Sequence, residues 1–145
     1  MSLTVKKAVL WRKEVDNQVG TLAHTLEPLT KVGADLRVLM AYRYPGNEAK
    51  AMIELYPVAG KKLAAAAEQA GLSASSIPTL LIEGDNKPGL AHKIAQAVAD
   101  AGMNLTFLIA QVIGRRYAAT IGFATDEDAK RAAALIKKAA ATRKK

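Results

Sequence analysis

Asp16-Asn17-Gln18-Val19-Gly20 recurs 69 residues later as Asp85-Asn86-Lys87-Pro88-Gly89. The same offset carries Gly33 onto Gly102, Leu36 onto Leu105, Leu39 onto Leu108 and Ala41 onto Ala110 without a gap. Identity held in register over that span points to duplication of a unit about half the chain long. A chain of 145 residues would by default be one domain of ordinary size, and the repeat divides it into two small units instead. The expected division is residues 1–75 and 76–145, with residues 142–145 a basic tail.

Each half reads the same way. Val5 to Lys13, and its counterpart Thr79 to Glu83, are rich in β-branched, aromatic or aliphatic residues and predict strands. The Asp-Asn-x-x-Gly turn follows. Thr21 to Val32, with Leu22, Leu26 and Leu29 on one face, and Leu90 to Ala101, with Ala91, Ile94 and Val98, predict helices that Gly33 and Gly102 stop. Pro28 lacks the N–H a helix interior needs, so the first helix is expected to kink or end early.

Strict alternation then predicts strands whose bulky sets, Leu36, Val38, Met40 and Tyr42 or Leu105, Phe107, Ile109 and Gln111, face the core. A hairpin returns through Ala49 to Leu55 and Tyr117 to Phe123. Matching Ile53 to Ile121 makes the second hairpin loop one residue shorter. Lys61 to Ala70 and Asp126 to about Ala141 predict closing helices, the latter with Thr125 or Asp126 as N-cap.

Strand, helix, strand, strand, helix, twice over, is most of a ferredoxin-like βαββαβ unit: an α+β class of fold with antiparallel sheets and helices on one face. Between Gly71 and Asp85 there is room for one extended segment, so residues 76–84 are expected to serve as a strand shared by the two units. Leu39, Ala41, Leu108, Ala110 and Val112 are then left on the helix-free face, an apolar surface that predicts association of the units with each other or with another copy.

Composition narrows the chemistry. There is no cysteine, which removes disulfides, thiolate catalysis and cysteine-ligated metal. His24 and His92 do not superpose on the repeat, and neither has partners at metal-site or acid–base spacing, so no catalytic residue, metal or cofactor is expected. Lys6, Lys7, Arg12 and Lys13 bound the first apolar run far short of a signal-peptide core, and no run approaches the roughly 18 apolar residues of a membrane span, so a cytoplasmic protein is expected. The 29 alanines place much of the 50% hydrophobic fraction in small side chains. A net charge of +8 makes nucleic acid worth testing, but the basic residues are diffuse.

In the repeated turn, the glycine lets the backbone enter the helix sharply, and the unpaired N–H groups at the helix start attract an anion such as a carboxylate. Asp16 or Asp85 beside it can accept from an ammonium group, so the turn offers complementary sites for the two ends of an α-amino acid. The competing reading is that Asp and Asn simply cap the helix.

The strand followed by Asp85, Asn86, Pro88 and Gly89, the apolar helix, the glycine before Met103-Asn104-Leu105 and the hairpin together resemble the ACT domain, and the doubled pattern resembles a tandem ACT-domain protein over residues 5 to about 140. The resemblance implies a regulatory or sensory protein without catalytic activity. It also implies a homodimer, with an amino acid bound at the interface between units through the first loop and second strand, and a regulated enzyme as partner. Carried over, it implicates Asp16, Asn17, Val19, Gly20 and Thr21 in one site and Asp85, Asn86, Pro88, Gly89 and Leu90 in the other. Val19 departs from the pattern, which has proline there.

The alternative is an RNA-binding ferredoxin-like module, with Arg115-Arg116-Tyr117 and Ile121-Gly122-Phe123 as its faint signature. Aromatic residues make up only 5% of the chain, too few for the base-stacking platform such a module needs.

Overall fold

A computed structural model describes residues 3–141. The chain runs β1 (Thr4–Ala8), β2 (Trp11–Asp16), α1 (Thr21–Lys31), β3 (Val38–Tyr44), β4 (Asn47–Tyr56), α2 (Lys61–Gln69), β5 (Ser73–Ala74), β6 (Thr79–Asp85), α3 (Leu90–Asp100), β7 (Leu105–Ile113), β8 (Arg116–Phe123) and α4 (Asp126–Ala141). Two antiparallel four-stranded sheets form, ordered β3-β4-β2-β5 and β7-β8-β6-β1. The fold is α+β with ferredoxin-like units, as the repeat implies.

Val9–Ser76 forms one unit and the rest of the described chain, residues 3–8 and 77–141, forms the other. The segment expected as one strand, Val5 to Lys13, is broken at Val9-Leu10. Its first half, β1, pairs antiparallel with β6, setting Val5 opposite Ile82. Its second half, β2, lies between β4 and β5. The observed division therefore differs from the expected boundary at residue 75 by placing residues 3–8 with the second half, and β6 belongs to one sheet rather than to both. The two-residue β5 flanks β2, while β1 fills the same slot beside β6; the basic tail expected at residues 142–145 lies outside the described residues.

In the composite unit, alternate residues of β6 (Leu80, Ile82) and β8 (Tyr117, Ala119, Ile121, Phe123) line one face. Against it pack Leu90, Ile94 and Val98 of α3 and Ala129, Ala132 and Ile136 of α4, at helical spacing. Each large aliphatic side chain buried this way contributes about 1.5–3 kcal/mol. Alanines on α4 let the helix approach the sheet closely. Thr125 Oγ1 accepts from the Asp128 N–H at 3.0 Å, capping that helix. The 9–76 unit builds a smaller core from Val15, Ile53 and Leu55 of the sheet with Leu29 of α1, Ala67 of α2 and Leu72. Its α1 continues through Pro28 to Lys31 rather than ending early.

Cross-strand register reverses the expected facing of the second strand in each half. Leu39 and Ala41 stand opposite Leu55 and Ile53, and so share the helix-side face. Met40 and Tyr42 belong to the other face with Glu54 and Met52. In β7, an irregularity between Leu105 and Phe107 shifts the alternation, so Leu108, Ala110 and Val112 take the helix side and Phe107, Ile109 and Gln111 the other. Both faces of these edge strands are apolar enough that alternation alone does not decide between them. Register also pairs Asp16 with Lys50 and Asp85 with Arg116. The second hairpin is thus three residues shorter than the first, and Ile53 corresponds to Ala119 rather than Ile121.

Candidate ligand site

The two Asp-Asn-x-x-Gly turns fold alike. Asp16 ends β2 and Asp85 ends β6, and Gly20 and Gly89 take left-handed φ values of 86° and 84° as the residues preceding α1 and α3. A side chain at that φ would be strained, which is why glycine recurs here. Asn17 ties its turn to the neighbouring hairpin: its backbone N–H donates to Ala49 O at 2.9 Å and its side-chain amide to Glu48 O at 2.9 Å. The backbone N–H of Asn86 makes the equivalent bond to Arg115 O at 2.7 Å.

Neither helix start has a side-chain cap, so capping does not account for the Asp and Asn. Asp16 instead accepts from Lys50 Nζ at 2.7 Å, and Asp85 from Arg116 Nη1 at 3.0 Å. The Lys50 hydrogen bond and charge hold the Asp16 carboxyl below its ordinary range, and Asp16 in turn raises Lys50. Lys50 and Arg116 lie outside the repeated motif and become visible only through strand register. At the start of α1, Thr21 N–H donates to Gln18 O and His24 N–H to Gly20 O, whereas the N–H groups of Leu22 and Ala23 meet no acceptor among the described residues. An uncapped first turn carries partial positive charge toward whatever occupies the space before it.

In the 9–76 unit that space is a cleft of about 170 Å³. It is lined by Val15, Asp16, Asn17, Gln18, Thr21 and Leu22 from the strand, turn and helix, and by Ala41, Tyr42, Arg43, Ala51, Met52 and Ile53 from β3 and β4. Its size suits a ligand smaller than the drug-like molecules that fill pockets of about 300 Å³ and more. Arg43 on its wall makes an exposed pair with Glu48 at 3.5 Å.

Of the residues expected to bind, Asp16, Asn17 and Thr21 are thus brought together around the cleft. Val19 is wholly exposed and, with Gly20, is not among the lining residues. In the composite unit Asp85 pairs with Arg116 as Asp16 does with Lys50, Asn86, Pro88 and Gly89 form the turn, and Leu90 is 7% exposed within the core. The Leu90 side chain packs in the core cluster with Ile94 and Tyr117. Tyr42, Arg43, Ala51 and Met52 carried no motif signal.

Tyr117 and Phe123, the aromatics of the RNA-binding alternative, are buried in the helix-side core and present no stacking surface. His24 and His92 are exposed, and no group of three His, Asp or Glu suited to a metal occurs among the described residues. Among the same residues, no helix is long and apolar enough to cross a membrane.

Residues 78–143 match the family model of the ACT domain. The whole chain is similar in fold to solved structures of low identity. Protein BT0572 from Bacteroides thetaiotaomicron is 15% identical, with a TM-score of 0.74 over 88% of this chain and 87% of that one. The regulatory subunit of aspartate kinase from Thermus thermophilus, in a ligand-free form, is 20% identical with a TM-score of 0.65 over 96% and 97%. A structure of aspartokinase alpha and beta subunits is 12% identical with a TM-score of 0.64 over 98% and 99%. No curated protein matches the sequence.

Proposed function

We propose that the protein is a non-enzymatic regulatory or sensory module of two ACT-type units that binds a small amino acid in the cleft of the 9–76 unit. The observation that carries this is the coincidence of that cleft with the uncapped start of α1. The amino acid's carboxylate meets the free N–H of Leu22, which lines the cleft, and its ammonium lies toward Asp16, whose carboxylate Lys50 keeps ionised. Asn17 and Thr21 line the same space.

A homodimer extends the reading. Each sheet has one guarded edge: β5 is only two residues long, and β1 carries Lys6 and Lys7. The opposite edges, β3 and β7, are long and expose Leu39 and Tyr42, and Leu108, Ile109, Val112 and Ile113. Pairing along β3 would place a second copy beside Ala41, Tyr42 and Arg43, which border the cleft, so the ligand would sit at a boundary between units of two copies. The regulatory subunit of aspartate kinase, which shares this fold, makes an enzyme the regulated partner we favour.

Titration calorimetry and thermal shift against each of the twenty amino acids test the proposal. Saturable heat and stabilisation with one or a few of them are expected, and neither effect with any of them would refute it. An RNA-binding protein would instead retard single strands with strong salt dependence.

A further inference from the structure

Strand register places Ala51 of the first half where the second has Tyr117, each one residue beyond the basic partner of the turn aspartate. Thr21 and Leu90 likewise occupy one position, the first residue of α1 and of α3. In the 9–76 unit the small Ala51 and the polar Thr21 line the cleft. In the composite unit Tyr117 is 4% exposed and Leu90 7%, and both belong to the same packed core cluster. The cross-strand partner changes in the compensating direction, with Val15 opposite Ala51 and Gly84 opposite Tyr117. The turns, the left-handed glycines and the uncapped helix starts are otherwise alike in the two halves.

We infer that the chain holds one ligand site and not two, because the Tyr117 and Leu90 side chains occupy in the composite unit the volume that Ala51 and Thr21 leave open in the other. This rests on the cleft being the amino-acid site proposed above. Tyr117 acts as a built-in occupant. Its hydroxyl is buried with no hydrogen-bond partner among the described residues, the mark of a side chain placed for its volume rather than its polarity. The wall changes with it: Arg43 corresponds to Val112 and Tyr42 to Gln111, so the guanidinium and phenol of that strand have no counterpart at those positions in the second half. The composite unit's turn keeps the Asp85–Arg116 pair that matches Asp16–Lys50, so the two halves differ in the filled volume and not in the turn.

The chain contains no cysteine, so single introduced thiols report each position separately. In the folded full-length protein, Thr21→Cys should react with iodoacetamide at the rate of an accessible thiol. Leu90→Cys should react at least about tenfold more slowly, since labelling there requires local opening. Leu90→Cys combined with Tyr117→Ala should recover the fast rate. Equal rates for Thr21→Cys and Leu90→Cys, with circular dichroism confirming both are folded, would overturn the inference.

Titration of each of the twenty amino acids adds a second arm. One equivalent per chain is expected, and Ala51→Tyr should weaken binding by at least about tenfold. Two equivalents per chain would overturn the single-site inference while leaving the ligand proposal standing. Absence of binding by any amino acid would refute the ligand proposal, while the labelling rates would still decide whether one half or both are open.

Discussion

The Lys50 ammonium of β4 donates to Oδ1 of Asp16, the last residue of β2, at 2.7 Å, and the pair has a counterpart in Arg116 and Asp85. The Lys50 charge thereby favours Asp16 as a carboxylate at the mouth of its turn. Asp16 is depressed below its ordinary value of 3.8 and Lys50 raised above 10.5. The aspartate contribution is present above the ordinary aspartate value and lost as pH falls through the depressed one. The lysine contribution is present below the ordinary lysine value and lost as pH rises through the raised one. Lys50→Met should return the Asp16 carboxyl toward its ordinary value in a 13C-detected NMR titration. Because both groups are exposed, the change in stability should be small and should fade with salt.

On the helix-free face, Glu54 is 3% exposed at the centre of β4, with Arg12 Nε at 3.9 Å on one side and the Tyr42 hydroxyl donating to it at 2.9 Å on the other. Burial and the carboxylate together push Tyr42 up to about 12. Glu54→Gln removes the charge but keeps the shape. It should lower the Tyr42 titration, followed by ultraviolet absorbance, toward but not fully to the ordinary tyrosine range, because burial remains.

Tyr117 carries a buried hydroxyl with no partner among the described residues, and burial raises its pKa. Tyr117→Phe should keep the packing and remove the unsatisfied group, stabilising the fold by about 1 kcal/mol in denaturant unfolding. Tyr117→Ala should cost about 3 kcal/mol or more through the cavity it leaves. Destabilisation by the Phe variant would mean the hydroxyl has a partner.

Deleting residues 1–8 removes β1 and with it buried Leu3 and Val5. The loss should reach about 4 kcal/mol of burial, felt in the composite unit. Hydrogen exchange should quicken along β6, Thr79–Asp85, while β4 of the 9–76 unit keeps its protection.

Leu39 and Tyr42 are exposed on the unguarded edge β3. Leu39→Lys with Tyr42→Lys places charge on that edge and should leave the fold intact while shifting a dimer to monomer in light scattering. A mass unaffected by the pair would move the interface away from β3.

The repeated turn, the four helices and the glycines closing α1 and α3 were legible because each rests on local chemistry: a left-handed glycine, a helical stripe, a cap. What was not legible depends on pairing between distant segments. Nothing in Val5 to Lys13 marks the break at Val9-Leu10 or sends β1 to β6. The face chosen by Met40 and Tyr42 is set by their partners on β4, and that of Phe107 by an irregularity next to Leu105. The cleft was half legible: Asp16, Asn17 and Thr21 came from the motif. Ala51 and Arg43, which give it volume and a charged wall, are ordinary residues until register brings them to the turn. The same register separates Thr21 from Leu90, which the motif alone treats as equivalent.

Amide chemical-shift mapping of the 15N-labelled protein during titration with each of the twenty amino acids tests the central claim most directly. Binding should move the Leu22 and Ala23 amides most, together with residues 15–18, 41–43 and 51–53, and leave Ala91 and His92 at the start of α3 unchanged. Shifts confined to other surfaces, or none with any amino acid, would contradict it.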